Sequence, residues 1–211
     1  MDFEEIKKQT EAFVKEELFT LEPWILNVKW EEKLPKLNEL REKVKSKGLW
    51  LPQISKDYGG LGLTNAEHGE VSEILGASPY GHYCFNCQAP DAGNMEILIE
   101  FGTDQQKETY LYPLLKGEIR SCFAMTEPDH AGSNPVKMGT IAKKENGNYV
   151  INGHKWFTSG FDGSTFAIVM LVTDPNASGP HQKASQVIVP TSLEGLEFVR
   201  NISIMGHPGG G

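Results

Sequence analysis

No apolar run in this sequence approaches the roughly 20 residues a helix needs to cross a bilayer, so it offers no membrane-spanning helix. Basic excess is missing too: 20 Lys and Arg stand against 28 Asp and Glu, a net charge of −8. Phosphate binding needs clustered cations, so an extended nucleic-acid footprint is excluded. Cysteine is scarce, and three residues cannot all pair with one another. A chain of 211 residues that is 39% hydrophobic builds a core without staples, so reduced, metal-free thiols and a cytoplasmic setting are expected. The opening "MDFEEIKKQT" is acidic and amphipathic, unlike a signal or transit peptide. There is no internal repeat, low-complexity tract or long linker, and the six histidines form no H-E-x-x-H or Ser/His/Asp grouping.

What is present divides near "LKGEIRS", residues 115 to 121. Before it the apolar period is helical. Phe3, Ile6, Thr10, Phe13 and Val14 share one face. Pro35 is placed to open a second helix, with Leu37, Leu40 and Val44 along one side and Gly48 as its C-terminal cap. Thr64 with Glu67, and Thr103 with Gln106, have capping-box spacing, and Pro113 bounds the last helix. After the divide, "SCFAM", "NYVINGHKWFTS", "FAIVMLVT" and "SQVIVP" are β-rich runs, and "ENGN" and "NG" are hairpin-type turn signals. The expected fold is α+β and multi-domain: an all-α helical domain over 1–118, then an incomplete antiparallel β-barrel-like domain over 119–211.

"CFNC" (84 to 87) has C-x-x-C spacing without a second ligand pair, so it reads as core thiols rather than zinc. "YGGLGL" follows no strand and reads as a tight turn, and "REKVKSKG" as a solvated helix face. The informative stretch is "FAMTEPDHAGSNP", residues 123 to 135, where a strand-like run enters a turn of small side chains. Thr126 offers a hydroxyl and an amide, and Gly132 and Ser133 let backbone approach a planar or phosphorylated ligand. "KWFTS" (155 to 159) repeats the theme, so two hydroxyl-bearing strand ends and a tryptophan would cradle a flat heteroaromatic ring at a domain seam. The same spacing also suits a capped turn and a packed tryptophan.

"CFAMTEPDHAGS" resembles the signature turn of the acyl-CoA dehydrogenase family, and "INGHKWFTSG" its second flavin-contacting strand. "LPQISKDYGGLGL" and "FGTDQQKETYLYPLLKGE" are similar to helical-domain segments of the same family, in colinear order. "FNCQAPDAGNMEILIEFG" is most similar to the branch typified by family member eleven. The resemblance implies FAD as cofactor and a fatty acyl-CoA as substrate, oxidised to the 2,3-enoyl-CoA with hydride passing to flavin N5. An electron-transfer flavoprotein as acceptor and a homo-oligomeric complete enzyme are implied as partners.

On that likeness Phe123, Ala124, Met125, Thr126, Gly132, Ser133, Trp156, Phe157 and Thr158 contact the cofactor, with Ser133 toward the CoA end of the substrate. Glu127 belongs to the turn signature and is given no catalytic role. Asn134 stands where the family usually has Asp. The family's catalytic base lies in a C-terminal helical domain that this sequence does not contain, so no residue is assigned as base. The sequence is therefore expected to be inactive alone and, because of an exposed apolar seam, to self-associate or to need a partner. A non-catalytic, truncated protein of the same ancestry, acting as a weak flavin- or CoA-binding or partner-packing module, is the alternative reading, and a related oxidase a third.

Overall fold

Asp2 starts the first helix of the computed structural model, which describes residues 1–204. Its carboxylate accepts from the Glu5 amide at 2.9 Å and so caps α1 (Phe3–Phe13). The chain divides into two units, Met1–Glu100 and the remainder from Phe101 onward.

In the first unit Ile6, Thr10 and Phe13 face inward at helical spacing, and the Thr10 hydroxyl is satisfied by Ile6 O at 2.8 Å. A π turn, Val14–Leu18, leads into α2 (Phe19–Ile25), then α3 (Trp30–Ser46), α4 (Asn65–Leu75), α5 (Gly81–Phe85) and α6 (Asp91–Phe101). Phe13, Leu18, Leu37, Leu40, Val44, Val71, Leu75 and Phe85 form its core, with Phe13 and Phe85 edge-to-face at 5.4 Å. Burying each such side chain stabilises by about 1.5–3 kcal/mol, which is why the apolar stripe rather than helix propensity holds these short helices.

The local signals behave as read. Thr64 and Glu67 form a reciprocal capping box, and Gly48 takes a left-handed φ of 68° just beyond the end of α3. Gly60 packs so closely on Ile54 that a side chain would meet its backbone, so the glycine loop is a tight turn. Cys84 and Cys87 are free, buried core thiols.

Two readings are corrected. Pro35 lies inside α3 rather than at its start. The helix begins five residues earlier, where Glu31 and Glu32 complement the N-terminal dipole and Lys33 reaches the Tyr80 hydroxyl at 2.8 Å. Arg41 in "REKVKSKG" is also not solvated. It is buried against the Trp50 and Tyr83 rings and donates to Tyr83 O at 3.0 Å.

The second unit starts helical. Thr103 caps α7 (Asp104–Gln106) with the expected box, a π turn follows at Lys107–Leu111, and α8 covers Tyr112–Lys116. Pro113 does not end the helix. The Tyr112 amide bonds back to Lys107 O, five residues away, so the π turn resets the register and places the proline in a fresh first turn.

Five strands follow: β1 (Ser121–Ala124), β2 (Ile141–Glu145), β3 (Asn148–Asn152), β4 (Phe166–Val172) and β5 (Ala184–Pro190). β4, the most apolar run, is the centre. β5 pairs antiparallel along its whole length, leaving the other edge to be shared by β1 near its start and β2 at Val172. Both run parallel to β4, so the sheet is mixed and open, not the antiparallel barrel-like arrangement expected from sequence. The reason lies in the connections. The chain leaves β1 through residues 125–140 and rejoins the same edge further along, which only a crossover permits. β2 and β3 make a true hairpin, with Asn146 and Gly147 both at positive φ in a two-residue turn. The second "NG" does not turn: Gly153 has no positive φ and is pressed against Thr140, leaving no room for a side chain.

Candidate functional site

β1 alternates about the sheet. Cys122 and Ala124 are buried in the cluster with Ala167, Val169 and Leu171, while Phe123 and Met125 are half-buried. Beyond Ala124 the ladder stops and the chain turns at Thr126. The "KWFTS" segment is not a strand, since β3 ends at Asn152 and residues 153–158 have no regular structure. It nevertheless returns to the first turn. The Trp156 amide donates to Thr126 O at 3.1 Å, and the Thr126 hydroxyl donates to Trp156 O at 2.7 Å. The two motifs lie side by side.

A buried ionic cluster beneath them holds that pairing. Glu127 is only 4% exposed. Its Oε1 accepts from Lys155 Nζ at 2.8 Å and the Thr140 amide at 2.9 Å. Its Oε2 accepts from the Gly139 amide and from His130 Nδ1, 3.0 Å away. Four donors use the full capacity of a carboxylate. Burial alone would raise the pKa of this group, but donation from Lys155, Thr140 and Gly139 outweighs it and holds the pKa at about 2. Lys155 also donates to Met125 O at 2.8 Å, and burial lowers its pKa despite the partner carboxylate. Lys155 thereby ties both sides of the first turn, Met125 and Glu127, to the residue preceding Trp156.

The remaining predicted residues fall around this cluster. Gly132 folds back over Thr126, where an added methyl group would sit 2.8 Å from Thr126 Cγ2. Ser133 is exposed beside it, and Asn134 caps its own turn by accepting from the Val136 amide at 3.4 Å. Trp156 is 37% and Phe157 45% exposed, with ring centroids 4.8 Å apart, so neither is a core residue. Phe157 has φ of 51°, a left-handed conformation costing an L side chain roughly 1–2 kcal/mol. Thr158 is half-buried, and among the described residues neither its hydroxyl nor the Thr126 amide has a protein partner. Ala124 offers only backbone, because its side chain is in the core.

Sequence reasoning missed Lys155, His130, Gly139 and Thr140. "GHKWF" contained the lysine in view, but nothing in spacing pairs it with a glutamate 28 residues earlier. Pro135, Val136, Met170, His181, Ser185 and Gln186 help line a cavity of about 180 Å³ that includes none of the predicted site residues. Among the described residues no group of three or more His, Cys, Asp or Glu is placed to hold a metal ion. No helix among them is long and apolar enough to cross a membrane.

The sequence and its fold have known counterparts. Residues 2–118 match the acyl-CoA dehydrogenase N-terminal domain, and residues 122–210 match the acyl-CoA dehydrogenase middle domain. Acyl-CoA dehydrogenase family member 10 of Mus musculus is 42% identical over 96% of this chain, which corresponds to 20% of that protein. Family member 11 of Homo sapiens is 37% identical over 85% of the chain, or 23% of its own length. A solved acyl-CoA dehydrogenase structure from Mycobacterium abscessus superposes with a TM-score of 0.91 at 35% identity, covering 99% of this chain and 55% of that one. A glutaryl-CoA dehydrogenase from Mycobacterium smegmatis, solved in complex with FADH2, shares the fold at a TM-score of 0.69 and 24% identity, over 96% of this chain and 50% of its own. The chain thus spans about a fifth of these curated relatives and about half of the solved structures. With the two domain models together matching residues 2–118 and 122–210, the chain belongs to the acyl-CoA dehydrogenase family.

Proposed function

We propose that the chain forms part of an FAD-dependent enzyme oxidising a fatty acyl-CoA to the 2,3-enoyl-CoA, and that the paired turns are one wall of its site. The observation carrying this reading is the juxtaposition of the two family motifs through Thr126 and Trp156, with the Thr158 hydroxyl and the Thr126 amide without a protein partner among the described residues. Unpaired donors beside exposed aromatic rings suit a flat, electron-accepting ligand. FAD, when bound, supplies the two-electron acceptor for hydride from the substrate β carbon.

The chain's own residues bind and orient. Thr126 N–H and Thr158 Oγ–H are the donors available to the isoalloxazine edge, where preorganised dipoles stabilise negative charge. The Thr126 hydroxyl hydrogen is already committed to Trp156 O, so that oxygen offers only lone pairs. Trp156 and Phe157 provide apolar surface that excludes water. The strained φ of Phe157 is what turns the chain between Trp156 and Thr158. Ser133 lies two residues before Pro135, which helps line the 180 Å³ cavity, and is the residue placed toward the CoA end of the substrate in this reading. That volume is below the roughly 300–1,000 Å³ of a site enclosing a whole ligand, so further walls complete it. Cys84 and Cys87 as buried free thiols suit a reducing, cytoplasmic setting. An electron-transfer flavoprotein as acceptor, a homo-oligomeric whole enzyme and a base supplied by a C-terminal helical domain belong to the same reading.

The test is a chain joined to the C-terminal part of a relative and loaded with FAD. Thr158→Val should slow flavin reduction by an acyl-CoA while FAD stays bound. Wild-type reduction rates in that variant would remove Thr158 from the site.

A further inference from the structure

Lys155 does more than neutralise Glu127. Its ammonium makes two short contacts of different kinds, one to the Glu127 carboxylate and one to Met125 O, both at 2.8 Å. The carbonyl of Met125 belongs to the same peptide unit as the Thr126 amide. A cation on a peptide oxygen draws electron density from the unit and makes its N–H a stronger donor, and a low local dielectric enlarges the effect. Lys155 is held there by geometry: its side chain is 11% exposed, and Glu127 is fixed by the Gly139 and Thr140 amides. The polarised N–H is one that no protein group among the described residues accepts.

We propose that Lys155 is a positioning residue that, through the Met125 carbonyl, aligns and strengthens the Thr126 amide as a donor to a bound electron-rich acceptor such as a reduced flavin. Glu127 is the anchor that fixes Lys155 in place, which gives the buried pair a purpose beyond stability. This rests on the reading of the paired turns as a flavin wall, and its experiment separates the two.

The test uses the 211-residue chain, labelled with 15N, in wild type, Glu127→Gln, Lys155→Met and the double variant. Folding stability should follow the pairing: each single change leaves one buried charge alone, and the double variant recovers much of the loss. The Thr126 amide 15N resonance should instead follow Lys155. It shifts upfield in Lys155→Met and in the double variant, and stays near its wild-type position in Glu127→Gln. The double variant is the decisive protein if Lys155→Met alone does not fold. Titration with FAD, carried out on the same proteins joined to the C-terminal part of a relative, then reads function, with the Thr126 resonance moving in wild type and the apparent Kd rising about tenfold in the double variant, the loss expected for one weakened charge-assisted donor.

A Thr126 resonance that moves as far in Glu127→Gln as in Lys155→Met, or that ignores Lys155, overturns the proposal and leaves the pair a structural tie. So does an unchanged FAD affinity in the double variant. Absence of any FAD-dependent Thr126 shift in the wild-type joined chain counts against the flavin wall itself, while the 15N comparison still decides whether Lys155 polarises the peptide.

Discussion

Acid should unfold the β unit through one carboxylate. Glu127 has a folded pKa of about 2 against an ordinary 4.5. The difference, 4.5 − 2 = 2.5 units, corresponds to about 3 kcal/mol at 1.36 kcal/mol per unit. Because the folded value is depressed, this contribution is complete above pH 4.5 and is lost as pH falls toward 2. Only 4% of the residue is exposed, so solvent screening removes little of it. Glu127→Gln leaves Lys155 buried without its anion and should cost about 3–5 kcal/mol at pH 7. Urea unfolding followed by circular dichroism between pH 7 and pH 3 measures both proteins. The gap between wild type and variant should shrink by about 2 kcal/mol between pH 4.5 and pH 3, where 1.5 of the 2.5 units are crossed. A gap constant across that range would refute the ionised, four-donor description of Glu127.

Other consequences are open to simpler measurements. Gly153→Ala would drive a methyl into Thr140, whose Cα cannot move away without disturbing the amide that holds Glu127. It should destabilise by about 1–3 kcal/mol, read as a lowered Tm, and an unchanged Tm would mean the loop is slack. Burial pushes the Cys84 and Cys87 thiols up to about 12, three units above the ordinary 9.0. Their thiolate fraction is then about a thousandfold lower, and a disulfide reagent at pH 8 should label them only after denaturation. Rapid labelling of the native protein would show the helical core to be open. Arg41→Met keeps the stem between Trp50 and Tyr83 but leaves Tyr83 O without that donor. A loss of about 1–3 kcal/mol in urea unfolding is expected, and a neutral result would mean that the stacked stem alone holds this junction.

The parts legible in the sequence were those settled within a few residues. Thr64 with Glu67, Thr103 with Gln106, and the Asn146-Gly147 turn each satisfy their own backbone locally, so spacing alone revealed them. The apolar period likewise located the inward faces of α1 and α3, and "FAIVMLVT" was legible as a strand, though not as the central one. The two motif turns were recognisable as motifs, down to Thr126 and Trp156.

Direction and pairing were decided only by the folded chain. Two parallel strands sharing one edge of β4 depend on where the 125–140 and 153–165 connections run, and apolar alternation is identical for either strand direction. Pro35 and Pro113 were misplaced for a related reason, since packing of Lys33 and the π turn at Lys107–Leu111 set the helix register around them. Glu127 and Lys155 look like two surface charges 28 residues apart until the sheet brings them together. A buried charge is stable only when distant groups surround it with donors, so such a cluster exists in tertiary structure and nowhere else.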